Sequence, residues 1–89
     1  MMPKKLESLR KLDLDDMYVM LRWSEGCPNV RIAKDLLISM GAISQRLAKM
    51  EKVFEGISFR TSTRRVPTDE GRRIGILCGK VLAAMMDDG

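Results

Sequence analysis

The chain of 89 residues has no histidine, three prolines, two cysteines, one tryptophan, one tyrosine and two phenylalanines. Each shortage excludes something. Without histidine there is no side chain whose ordinary titration falls near neutral pH and no imidazole for a metal, and two cysteines fall short of a structural zinc set. There is no glycine-rich loop of the kind that cradles phosphates, so neither cofactor nor metal nor catalysis is expected. Cys27 and Cys78 are expected as free thiols, Cys78 packing as a small hydrophobe at an apolar helix position. No apolar run approaches the ~20 residues that cross a bilayer. The start, Met1-Met2-Pro3-Lys4-Lys5-Leu6-Glu7, turns charged at once instead of developing a signal-peptide core, so a cytoplasmic location away from membranes is expected. Scarce aromatics leave Leu, Ile, Val and Met to build the core, which suits helices packed on helices.

What is present is a modest basic excess, +4 overall, and it is regional. Up to Gly26 the bases Lys4, Lys5, Arg10, Lys11 and Arg22 are matched by Glu7, Asp13, Asp15, Asp16 and Glu25. The surplus lies from Arg31 to Lys52 and at Arg60, Arg64, Arg65, Arg72 and Arg73. A basic region of this kind favours a polyanionic partner.

Hydrophobic spacing and capping residues divide the chain. Residues 1–12 read as an N-terminal extension, with a short helix after Pro3 carrying Leu6 and Leu9. Asp13 is an N-cap with Asp16 three residues on, and a helix over 14–24 follows with Leu14, Met17, Met20, Tyr18 and Leu21 as its apolar face. Gly26-Cys27-Pro28-Asn29 is a break, with Asn29 as the next cap. A helix over 30–37 is expected to bury Val30, Ala33 and Leu36 or Leu37. Ile38-Ser39-Met40-Gly41 is a turn with its own cap, Ser39, and a helix over 40–54 buries Ile43, Leu47, Met50 and Phe54. Its other face shows Ser44, Gln45, Arg46, Lys49 and Lys52. Ile57 and Phe59 then alternate with polar residues, as in a strand that pairs with Arg64-Arg65-Val66-Pro67 across a short loop. Thr68 caps a last helix, to about Met86, striped with Ile74, Leu77, Cys78, Val81, Leu82 and Met85. The expected fold class is mainly α: a winged helix-turn-helix with a three-helix core, a two-stranded wing (together 13–67) and a long C-terminal linker helix (68–89).

The chemistry sits in the second helix of the pair. In a helix-turn-helix it projects so that its first turns reach base edges in the major groove. Here that surface would offer Ser39, Met40, Gly41, Ala42, Ser44, Gln45, Arg46 and Lys49. Gln and Arg suit adenine and guanine edges, Ala and Met a thymine methyl. The ribbon would add Arg60, Thr63, Arg64 and Arg65 for phosphates or a minor groove.

From Leu14 to Met85 the chain resembles the N-terminal winged helix-turn-helix domain of LysR-type transcriptional regulators. Ala33-Lys34-Asp35-Leu36, Ala42-Ile43-Ser44-Gln45-Arg46-Leu47, Met50-Glu51, Phe59, Arg64-Arg65-Val66 and Thr68-Asp69-Glu70-Gly71 carry the likeness in one register. The resemblance implies a bacterial, sequence-selective regulator of transcription that binds duplex DNA as a homodimer, pairing through Ile74, Leu77, Cys78, Val81, Leu82 and Met85 of the last helix. Met40-Gly41 stands where the family has Gln-Pro, and no effector domain follows within the chain. Together with eight methionines, that departure motivates the alternative: a winged-helix module that docks another protein, an adaptor or anti-regulator, and does not read DNA sequence.

Overall fold

The computed structural model describes residues 9–61 and 64–87, with the side chains of Phe59 and Arg60 left undescribed. The expected position of Thr63, the Arg60 side chain, and the N-terminal extension as far as residue 8 lie outside the described residues. The protein is mainly α. In order it has α1 (Leu14–Ser24), α2 (Asn29–Leu36), α3 (Met40–Val53), β1 (Ser58–Arg60), β2 (Arg65–Pro67) and α4 (Asp69–Met86). The strands form an antiparallel pair with Phe59 opposite Val66 and Arg60 opposite Arg65. Among the described residues no helix is long and apolar enough to cross a membrane.

Local chemistry sets the helix ends. Asp13 and Asp16 form a reciprocal capping box: the Asp16 amide donates to Asp13 Oδ1 at 2.8 Å and the Asp13 amide to Asp16 Oδ2 at 3.0 Å. Ser39 Oγ accepts from the Ala42 amide and Thr68 Oγ1 from the Gly71 amide, each at 3.1 Å. The Thr68 hydroxyl also donates to the Gly56 carbonyl, so one residue starts α4 and holds it against the approach to β1. The α2 start differs from expectation: Pro28 stands at the cap without a side-chain bond, and Asn29 is already helical. Proline's fixed φ and missing amide suit it to that position.

α1 is the centre of the molecule, packed against α4, α3 and α2. This corrects its apolar face. Val19, Met20 and Trp23 are the buried residues, Met17 and Tyr18 are partly buried against the core, and Leu14 is exposed. A helix covered from several sides buries a broad arc, and a single-stripe pattern picks the wrong centre. In α2 the inward residues are Ile32 and Ala33 with Leu36 packed beside them, whereas Val30 and Leu37 are exposed. The pattern in α3 is as expected, with Ile43, Leu47 and Met50 buried and Phe54 partly so.

Two glycines let α4 pack closely, Gly75 against α1 and Gly71 against the segment before β1. A methyl group on Gly75 would lie 2.6 Å from Ser24 Cβ, and one on Gly71 would overlap the Ile57 carbonyl. The expected stripe on α4 divides: Ile74 and Cys78 are buried and Leu82 half-buried, whereas Leu77, Val81 and Met85 are 43%, 43% and 64% exposed. Asp87 falls beyond the last helical residue, Met86.

Candidate nucleic-acid interface

α2 ends at Leu36 and α3 begins at Met40, so Leu37, Ile38 and Ser39 make the whole connection. Ile38 tucks against the core, and its amide donates to the Ala33 carbonyl at 3.0 Å. Leu37 turns the chain in a left-handed conformation, φ 58° and ψ 42°. It is 91% exposed, so the strain of a branched residue there is offset by no burial. The result is a sharp corner that leaves the first turn of α3 uncovered. Ser39, Met40, Gly41, Ser44 and Gln45 are exposed and Ala42 is half-buried. Because Gly41 has no side chain, the backbone of that first turn is open to close approach.

Arg46 and Lys49 do not join that surface. The Arg46 Nη1 group donates to Asp13 Oδ1 at 2.8 Å and Asp16 Oδ1 at 2.9 Å, and its Nη2 lies 3.7 Å from Asp15 Oδ2. The Lys49 ammonium pairs with Asp16 Oδ2 and reaches the Lys11 carbonyl at 3.4 Å. Asp16 is fully buried, so this carboxylate needs its two cations and the Asp13 amide in place of water. Burial works against the charged Arg46 guanidinium, but its bonds to Asp16 and Asp13 outweigh that and hold its proton more tightly than usual. The reading of Arg46 and Lys49 as a free polar face is corrected: both lock α3 onto the start of α1. The opposed signs of Asp13-x-x-Asp16 and Arg46-x-x-Lys49, with Asp16 on the face of Met20 and Trp23, were the available signal.

The hairpin supplies a second basic element. The Arg64 side chain is exposed and has no acidic partner among the described residues. Its backbone amide donates to Thr61 Oγ1 at 3.1 Å, and its carbonyl accepts from the Thr61 amide at 2.8 Å, which closes the turn. Arg65 is less free: its guanidinium lies 3.7 Å from Glu51 Oε2 on α3 and is largely covered. On α4, Arg72 pairs with Asp69 and Arg73 with Glu70. Between the α1–α2 turn and the hairpin lies an open groove of about 510 Å³ that sequence reasoning missed, because it joins segments distant along the chain.

Among the described residues no group of three or more His, Cys, Asp or Glu side chains is placed to hold a metal ion. Cys78 is buried, which pushes its thiol up to about 11, and Cys27 is a partly exposed free thiol. Comparison of the chain with protein-family models, curated proteins and solved structures gives no match.

Proposed function

We propose that the chain is a winged helix-turn-helix module that binds duplex DNA and catalyses no reaction, a regulator of transcription of the kind its LysR-type resemblance implies. The observation that carries this reading is the uncovered first turn of α3, held at a sharp corner behind α2. Met40, Gly41, Ala42, Ser44 and Gln45 would face base edges, and the exposed backbone near Ser39 and Gly41 would face a phosphate. The β1–β2 hairpin is the wing in this reading, with Arg64 the residue best able to take a phosphate and Arg65 contributing from its place beside Glu51. Residues 13–67 then form the DNA-binding unit, and α4 acts as the linker.

The exposed residues Leu77, Val81 and Met85 recur at every fourth position of α4. They support a homodimer in which α4 pairs with its copy, placing two recognition helices on successive turns of the duplex. Selection from a randomised duplex library tests the whole reading. A two-fold symmetric motif is expected, and recovery of no DNA would reject it. Replacing Arg64 and Arg65 with Ala should weaken binding to all sequences alike, since phosphate contacts carry no sequence information.

The exposed Leu37 and Met40 favour a second reading, a module whose α2–α3 corner docks another protein. Apolar side chains at that corner suit a protein surface better than a phosphate-lined groove. Under this reading, changing Leu37 and Met40 to Ser would abolish partner capture, and the randomised library would return no enriched sequence.

A further inference from the structure

The groove between the α1–α2 turn and the hairpin has a composition of its own. Trp23, Pro28 and Val66 contribute apolar lining, Arg64 and Arg72 line it as cationic residues, and Cys27 lines it as well. Its volume of about 510 Å³ falls within the range of small-molecule sites, roughly 300–1,000 Å³. The charges around it are uneven. Glu25 is held by Arg22 at 3.2 Å, Arg65 lies beside Glu51, and Arg72 is shared with Asp69. Arg64 remains, exposed and without an acidic partner among the described residues. Among the described residues the groove thus pairs apolar walls with one guanidinium that has no acidic partner and a second whose acidic partner, Asp69, sits on its own helix.

We infer that this groove binds a small organic anion with a flat apolar body, such as an aromatic carboxylate or sulfonate. The ring would lie against Trp23, Pro28 and Val66, and the anionic group would reach Arg64, with Arg72 as its second contact. A guanidinium suits this role because its planar donors match two oxygens of a carboxylate or sulfonate at once. The site is separate from the first turn of α3, shares Arg64 with the proposed wing, and does not depend on the DNA reading.

The chain carries its own reporters, because Trp23 is its one tryptophan and Cys27 its one partly exposed thiol. Cys78 stays silent in alkylation near neutral pH, being buried with its thiol pushed up to about 11. The experiment titrates the folded chain with the anionic dye 1-anilinonaphthalene-8-sulfonate and, in parallel, with its neutral analogue N-phenyl-1-naphthylamine. Energy transfer from Trp23 and the rate of Cys27 alkylation by iodoacetamide are followed together.

Saturable transfer is expected for the anion, with slowed alkylation at the same midpoint and a raised melting temperature, the mark of a ligand that prefers the native state. Arg64→Ala should weaken it about tenfold, as expected for one charge-assisted contact, whereas Lys80→Ala on the exposed side of α4 should not. The inference is overturned by no saturable signal, by an unchanged Cys27 rate, by equal affinity in the Arg64 and Lys80 variants, or by equally tight binding of the neutral dye. A lowered melting temperature would also overturn it, as dye adsorbed to loosened chain.

Discussion

Asp16→Asn is the perturbation that most directly tests how α3 is held. The substitution keeps the shape of the side chain and removes its charge. It leaves the Lys49 ammonium without its carboxylate, while Arg46 keeps Asp13 at 2.8 Å and Asp15 at 3.7 Å. Breaking a buried ion pair by removing one partner costs about 3–5 kcal/mol. Here the lower end applies, about 3 kcal/mol, because Arg46 and Lys49 are partly exposed and can recover water. A domain of this length has roughly 4–13 kcal/mol of total stability, so the loss is a large fraction of it. At about 4–8 °C per kcal/mol, the melting temperature should fall by about 12–24 °C. Thermal and urea unfolding followed by far-ultraviolet circular dichroism would read it. The double variant Asp16→Asn/Arg46→Met should lose less than the sum of its singles, because the second change finds one of its two close partners already gone. A loss below about 0.5 kcal/mol, the level of an ordinary surface change, would refute the claim that this network fastens α3 to α1.

Four further outcomes follow from the same geometry. Gly75→Ala should destabilise the fold by about 1–3 kcal/mol through its clash with Ser24, despite alanine's better helix propensity, and a urea midpoint would show it. Leu37→Asn should raise the melting temperature by roughly 4–8 °C, since about 1 kcal/mol of left-handed strain is relieved and no buried surface is lost; a fall would mean that the leucine is sheltered. Burial raises the Asp13 carboxyl, but the Asp16 amide and the Arg46 guanidinium outweigh it and hold the group below its ordinary 3.8. Its contribution is therefore complete above that value and lost as pH falls through the lower folded one. Asp13→Asn should accordingly lower stability by a constant amount above about pH 4 and converge with the parent as the pH falls, so that its acid limb is flatter. Finally, Arg46→Met should lower stability yet leave the salt dependence of the proposed DNA binding unchanged, whereas a slope smaller by about 1 would mean that Arg46 leaves its acids for a phosphate.

The parts of the fold that could be read from the sequence are those fixed locally. Asp13, Ser39 and Thr68 are side-chain caps whose partners lie three residues away, so neighbouring residues alone specify where α1, α3 and α4 begin. The period-two run through Ile57 and Phe59 likewise marks the hairpin without reference to the rest of the chain. What escaped was set by contacts between distant segments. Ile32 and Trp23 are buried because α1 and α2 are covered from more than one side, and a single hydrophobic stripe carries no trace of that. The groove under Arg64 depends on the α1–α2 turn meeting the hairpin, a meeting no local pattern encodes.

The candidate interface was legible in its place but not in its charge. Counting basic residues along α3 treats Arg46 and Lys49 as surface, yet charge is available to a partner only when the fold does not already use it. Asp13 and Asp16 use these two, and a buried Asp16 makes their release costly, since separating them from it would strand a carboxylate away from water. The surface left on the first turns of α3 is therefore small and neutral, Met40, Gly41, Ala42, Ser44 and Gln45, with an exposed lysine, Lys52, only in the last turn. A duplex held there would be read by shape, by methyl contacts and by one amide side chain, with phosphate attraction drawn from Arg64 and the hairpin. The division follows from where two aspartates sit at the start of α1, 27 and 24 residues before the first residue of the helix whose chemistry they determine.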